Sequence, residues 1–104
     1  MKDYASMSDQ QINREVQKLT GTGCMAGSGV LIISNGMWRT FDPCNNPADA
    51  WPIITASMIS IRPVGNDGQL WEAAGMDGMK ADYGKNPLRA AMVVFLMMKE
   101  SEND

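Results

Sequence analysis

The side chains able to do chemistry in this sequence gather between residues 42 and 49. Asp42 and Asp49 flank Cys44, Asn45 and Asn46, and further acids follow at Glu72, Asp77 and Asp82. Carboxylates held in pairs serve hydrolysis, and several oxygen ligands together hold a divalent cation. The D-x-D-x-D-G order of a cation loop is missing, so solvated loop charges account for most of these acids. Cys44 stands two residues before a helix cap, where the dipole favours a thiolate. A cysteine nucleophile also needs a base, and with no histidine in the chain it would depend on Asp42, Asp49 or a lysine. A small buried apolar residue is the simpler reading. Cys24, Cys44 and Asp42 lack a fourth ligand and any C-x-x-C pair, so no metal is expected.

Gly21-x-Gly23-x-x-Ala26 matches a dinucleotide fingerprint in form only. That fingerprint needs a strand before it and a helix directly after, whereas here a helix precedes it and more glycines follow; no cofactor is expected. Arg89 falls in the first turn of the last helix, where a cation opposes the dipole. Something must offset it, either a carboxylate such as Asp49 or Glu72, or an anionic ligand. Trp51 and Trp71 read as core anchors. Trp38, beside Arg39, reads as an exposed contact, because Trp and Arg are enriched at interface hot spots.

These residues need elements to hold them. Ser8 and Gln11 have capping-box spacing, and Ile12, Val16 and Leu19 then form one apolar stripe, which predicts a helix over 8–19 with Asn13, Arg14, Gln17 and Lys18 on its wet face. Residues 20–29 hold Gly21, Gly23, Gly27 and Gly29 and read as a loop. A hairpin is expected next, 30–34 pairing with 37–41 across Asn35-Gly36. Asn46-Pro47 starts a short helix to about Ser57, with Trp51, Ile54 and Met58 facing inward and Pro52 kinking it. Residues 58–64 and 70–74 alternate as two strands around Asn66-Asp67-Gly68, and the Gly- and Asp-rich segment 75–85 reads as a mobile loop. Asn86-Pro87 repeats the earlier cap and opens a last helix to about Glu100. That helix carries Leu88, Ala91, Met92, Phe95 and Leu96 on one side and Val93, Val94, Met97 and Met98 on the other. A helix apolar all round is buried all round. Either the first helix covers its back or a second chain does, and a homodimer through Val93, Val94, Met97 and Met98 is the expectation.

With 104 residues, 44% hydrophobic and 20% charged, the chain reads as one domain, 1–104, its ends 1–7 and 101–104 frayed. The fold class expected is α+β, a small antiparallel sheet of two to four short strands packed with three helices in a sandwich-like arrangement. A net charge of -3 leaves little for nucleic acid to bind, since Arg14 and Lys18 are the only basic residues sharing a face. The longest apolar run, Ala90 to Met98, is far short of the roughly 20 residues that span a bilayer. Met1-Lys2-Asp3-Tyr4 has no leader-like apolar run, and two cysteines are few for a stapled secreted domain. Cytoplasmic location with reduced thiols is the expectation.

Four segments in order carry a resemblance: Asn45-Asn46-Pro47-Ala48-Asp49-Ala50-Trp51-Pro52-Ile53-Ile54, Ile59-Ser60-Ile61, Trp71-Glu72-Ala73, and Asn86-Pro87-Leu88-Arg89-Ala90-Ala91-Met92. Together they resemble the NinX-like family of temperate bacteriophage proteins, over about Phe41 to Glu100 with a similar opening at Tyr4 to Leu19. The resemblance implies an α-β-α sandwich, with helices on both faces of a small antiparallel sheet. It implies no activity, because the family has none assigned. A non-enzymatic phage accessory protein that binds a host or phage protein in the infected bacterial cytoplasm is the leading expectation. The alternative is a small-molecule or anion-binding domain, possibly a weak enzyme, with its site formed by Asp42, Asn45, Asn46 and Asp49 beside Trp71 and Arg89.

Overall fold

Ala90 to Leu96 is buried without interruption, and the other elements are arranged around it. The computed structural model describes residues 3–27, 29–65, 69–76 and 78–102. Its elements are α1 (Asp9–Thr20), β1 (Cys24–Ala26), β2 (Gly29–Ser34), β3 (Met37–Thr40), α2 (Pro47–Ala56), β4 (Ser60–Val64), β5 (Leu70–Ala74), β6 (Ala81–Gly84) and α3 (Pro87–Glu102). The fold is α+β, with two separate three-stranded antiparallel sheets ordered β1-β2-β3 and β4-β5-β6. The helix α3 packs on β5 and β6 on one side and on α1 and α2 elsewhere, and α1 in turn lies on β2. Helices therefore sit between two sheets, the reverse of one sheet between helices. The outer face of the second sheet carries exposed Arg62 and Tyr83, with no helix over it among the described residues.

This packing corrects the expected self-association face. Val93 and Val94 are sealed inside the chain's own core, and Met97 and Met98 are packed half-buried against it. The run Ala90 to Leu96 is covered by the chain's own elements, α1, α2 and the second sheet, while Met97 and Met98 keep part of their surface exposed.

Local signals hold where they were strong. Ser8 caps α1 in a full capping box, with Gln11 N–H donating to its Oγ and Ser8 N–H donating to Gln11 Oε1. The β2–β3 hairpin pairs Ser34 with Met37 across Asn35 and Gly36, both left-handed at φ 54° and 78°, as a type I′ turn requires. Asn46 caps α2 by accepting from Ala48 N–H, and Asn86 caps α3 by accepting from Leu88 and Arg89 N–H.

Elsewhere tertiary packing overrides the local reading. The glycine-rich 20–29 segment contains β1, because Gly23 at φ 75° turns the chain back onto β2. A Cβ there would lie 2.5 Å from both the Leu31 carbonyl and Ile32 Cγ2, so glycine permits the approach. Likewise the 75–85 loop contains β6, whose Trp71–Gly84 to Ala74–Ala81 register completes the second sheet. Tyr4 is not frayed: it begins a single 3-10 turn, is buried, and its hydroxyl donates to Glu100 Oε2 at 2.7 Å. Asn13, placed on the wet face, is 5% exposed, and Leu19, placed on the apolar stripe, is half exposed. Trp51 and Met58 point to solvent instead of the core. Met58 ends α2 in the left-handed region at φ 55°, with Ile59 N–H bonded to Ile54 and Met58 N–H to Thr55, a Schellman turn that packs Ile59 beside Ile54. Pro52 is carried inside α2 without ending it; Thr55 Oγ1 donates to the Trp51 and Pro52 carbonyls. The expected Asn66-Asp67-Gly68 turn and Asp77 lie outside the described residues.

Candidate functional site

Three helix starts meet at the 42–46 loop. Asp9 opens α1, Asn46 caps α2, and Asn86 caps α3, so three sets of free N–H groups and three positive dipole ends face one corner of the molecule. Polar side chains stitch them together. Asn45 Nδ2 donates to Asp9 Oδ2 at 3.1 Å and to both Asp42 oxygens at 3.2 Å. Asn86 Nδ2 donates to the Cys44 carbonyl at 2.7 Å and to Asn45 Oδ1 at 3.2 Å. Asn13, from the middle of α1, donates to Asp42 Oδ1 at 2.8 Å and accepts from Cys44 N–H at 3.2 Å.

Arg89 belongs to this corner, with a partner that differs from the expected ones. Its Nη1 lies 2.7 Å from Asp9 Oδ1, and its Nη2 donates to the Tyr4 and Met7 carbonyls at 3.0 and 2.7 Å. Asp49 and Glu72 are engaged elsewhere. Asp49, almost fully buried, takes a two-pronged contact from Arg39 at 2.6 and 3.0 Å and accepts from Asp42 N–H at 2.9 Å. Glu72 lies on the outer face of the second sheet between Arg62 Nε at 2.6 Å and the Tyr83 hydroxyl at 2.8 Å. Those two donors hold the Glu72 carboxyl below its ordinary range, and the Tyr83 hydroxyl is pushed up by its bond to that carboxylate. Asp82 is raised, chiefly because it is partly buried on the inner face opposite Ala73.

The structure thus brings Asp42, Asn45, Asn46, Asp49 and Arg89 into one corner, and leaves Trp38 and Trp71 on separate sheets. It adds Asp9, Asn13, Arg39 and Asn86, of which only Asn86 was read from sequence as a helix cap. Asp9 had a signal, an acid in a first helical turn. Asn13 had a weaker one, its position flanking the Ile12–Val16 stripe.

What this corner can do chemically is narrow. Cys44 is fully buried, and its thiol is pushed up to about 12, by burial first and then by the nearby Asp9 and Asp42 charges against the pull of Arg89. It is a weakly polar core residue and not a thiolate. Cys24 is exposed and Cys44 is buried, and both are free thiols. No three acids or thiols group around a common point among the described residues. Nor does any buried polar side-chain atom among them lack a partner. The Asp, Asn and Arg groups of the corner satisfy one another and the helix ends.

Large apolar side chains are exposed on the β2–β3 hairpin, as they are at Trp51, Met58, Met76 and Met79. Ile33 and Trp38 are cross-strand neighbours, 61% and 58% exposed, and Met37 at the tip is 72% exposed. Behind the hairpin a groove of about 300 Å³ separates the sheet from α2, lined by Ile32, Phe41, Pro52 and Ile53 over the Arg39–Asp49 pair. No helix among the described residues is long and apolar enough to cross a membrane.

No curated protein matches the chain significantly. The family described as Bacteriophage P22, NinX matches residues 3–99, nearly the whole chain, and the protein belongs to that phage family.

Proposed function

We propose that this NinX-family chain is a non-enzymatic protein-binding module that engages a host or phage protein in the cytoplasm of the infected bacterium. The observation that carries the reading is the adjacent Ile33 and Trp38 on an uncovered sheet face, with the apolar groove behind it. Large apolar side chains left side by side in water mark a contact surface. The ligand-binding alternative draws less support, because the donors of Asn45 and Arg89 already serve Asp9, Asp42 and the backbone. Against catalysis stand the absence of histidine and the burial of Cys44.

The test is capture from lysate of phage-infected cells with a C-terminally tagged chain. A stoichiometric partner retained by the native chain and by Tyr83→Ala, and lost with Trp38→Ala, is the expected result. Capture that is indifferent to Trp38, or no capture at all, overturns the proposal. In that case the 42–49 corner should be screened by thermal shift with small anions and nucleotides.

A further inference from the structure

The chain has four arginines, and three of them hold a carboxylate at 2.6 or 2.7 Å: Arg39 on Asp49, Arg62 on Glu72 and Arg89 on Asp9. Even Arg62, whose side chain is 66% exposed, has its acid. Arg14 is the exception. It is half-buried in the middle of α1, and its guanidinium meets no acceptor among the described residues. Partial burial strips water from a charged donor without replacing the bonds it made, so an anion that reaches such a group is favoured.

Arg14 lines a cleft of about 220 Å³ between α1 and β1, together with Met7, Gln11, Glu15, Lys18 and Met25. Gln11, Arg14 and Lys18 stand at i, i+3 and i+7, so the helix period sets them on one face. The Gln11 amide is fixed by the capping box, where its Oε1 accepts from Ser8 N–H, and its Nε2 protons are left for another acceptor. Lys18 lies 3.0 Å from Glu15. Two cations and one carboxylate leave the cleft with one positive charge in surplus. Met7 and Met25 supply adaptable apolar walls.

We infer that this cleft binds a small monocarboxylate, its oxygens on Arg14 and Gln11 and its apolar body between Met7 and Met25. The planar fork of an arginine matches the two oxygens of a carboxylate. A single surplus charge suits a monoanion better than a phosphate dianion, which would also meet the Glu15 carboxylate. The volume lies below the roughly 300–1,000 Å³ of sites for drug-sized ligands, so the ligand is short. The site shares no lining residue with the Ile33–Trp38 surface of the proposed function. It is separate too from the 42–49 corner, whose own arginine, Arg89, is already satisfied.

The experiment is an NMR titration of the full chain with butyrate at constant ionic strength, reading the Arg14 Nε–H signal and the Met7 and Met25 methyl groups. All three should shift together and saturate at roughly millimolar concentration. Arg14→Gln removes a guanidinium with no internal partner, so the variant should melt near the native midpoint while its butyrate Kd rises about tenfold or more. Glu15→Gln takes away the one negative charge in the cleft and should tighten the complex; a weaker one overturns the charge balance on which the ligand class rests. Signals that move without saturating overturn the inference. So does a Kd unchanged by Arg14→Gln, since the anion then sits elsewhere, and so does a variant that melts far below the native chain, since Arg14 then has a partner within it. Inorganic phosphate that saturates the same signals at lower concentration than butyrate overturns the carboxylate class.

Discussion

Arg89 reaches back 80 residues along the chain to Asp9, Nη1 to Oδ1 at 2.7 Å, and fastens the first turn of α3 to the first turn of α1. The pairing resolves a conflict at the start of α3. A cation at a helix start is unfavourable and an acid is favourable; Asp9 serves its own helix and neutralises Arg89 on the other. Nη2 holds the Tyr4 and Met7 carbonyls, so one side chain ties down residues 4–9.

Removing that tie should loosen the segment without dismantling the core. Both partners are partly exposed, and solvent weakens the ion pair. Arg89→Ala is expected to cost about 1–3 kcal/mol, most of it from the unpaired carbonyls. Arg89→Lys should recover little, because an ammonium cannot fork toward Asp9 and two carbonyls at once. Urea unfolding gives the cost, and amide exchange over 4–9 should quicken in both variants. A lysine variant as stable as the native chain would contradict the forked geometry.

The burial of Cys44 sets an alkaline limit to stability. Its thiol ionises near the ordinary value of 9.0 in the unfolded chain and is pushed up to about 12 in the folded one. The unfolded state therefore releases a proton that the folded state keeps, and stability falls as pH rises through this window, by at most about 1.4 kcal/mol per pH unit. Tyr4, raised by burial and by Glu100, adds a loss of the same sign above its ordinary value of 10.0. Cys44→Ala should flatten the decline from pH 9 and leave the Tyr4 contribution.

Thiol labelling separates the two cysteines directly. Iodoacetamide at mildly alkaline pH should modify exposed Cys24 alone in the folded chain, and both residues in denaturant. Intact mass gives the count; rapid double labelling of native protein would contradict a buried Cys44.

Val94→Glu should unfold the chain, not merely dissociate an assembly. Val94 has no exposure and lies within the uninterrupted buried run of α3. A carboxylate there has no partner, at a cost of roughly 3 kcal/mol or more. A cooperative melt near the native midpoint would show that this face of α3 is open.

Met58→Gly should stabilise the protein. Met58 is solvent-facing with φ 55°, a conformation that costs a non-glycine residue roughly 1–2 kcal/mol. Glycine relieves that cost and loses part of it to unfolded-chain entropy, for a net gain of about 0.5–1 kcal/mol. A lower melting temperature would mean that the Met58 side chain makes a contact worth more than the strain.

Elements announced by neighbours in sequence were legible from those neighbours. Ser8-x-x-Gln11, Asn35-Gly36, Asn46-Pro47 and Asn86-Pro87 each specify backbone geometry through bonds that span two or three residues, and each stands where its pattern placed it. The apolar run of α3 likewise required burial on more than one side, and Ala90 to Leu96 is buried without a gap. Which surfaces bury it could not be read locally. The strands β1 and β6 exist because β2 and β5 supply ladder partners, although β1 is flanked by Gly23 and Gly27 and β6 contains Asp82 and Gly84. Asp9, Asn13 and Arg89 meet because three helix starts converge, with contacts that span 29 to 80 residues. Hydrogen bonds within a turn are encoded by adjacent residues; pairing across the chain depends on packing, and packing assigned Arg89 to Asp9 and covered Val94 from within.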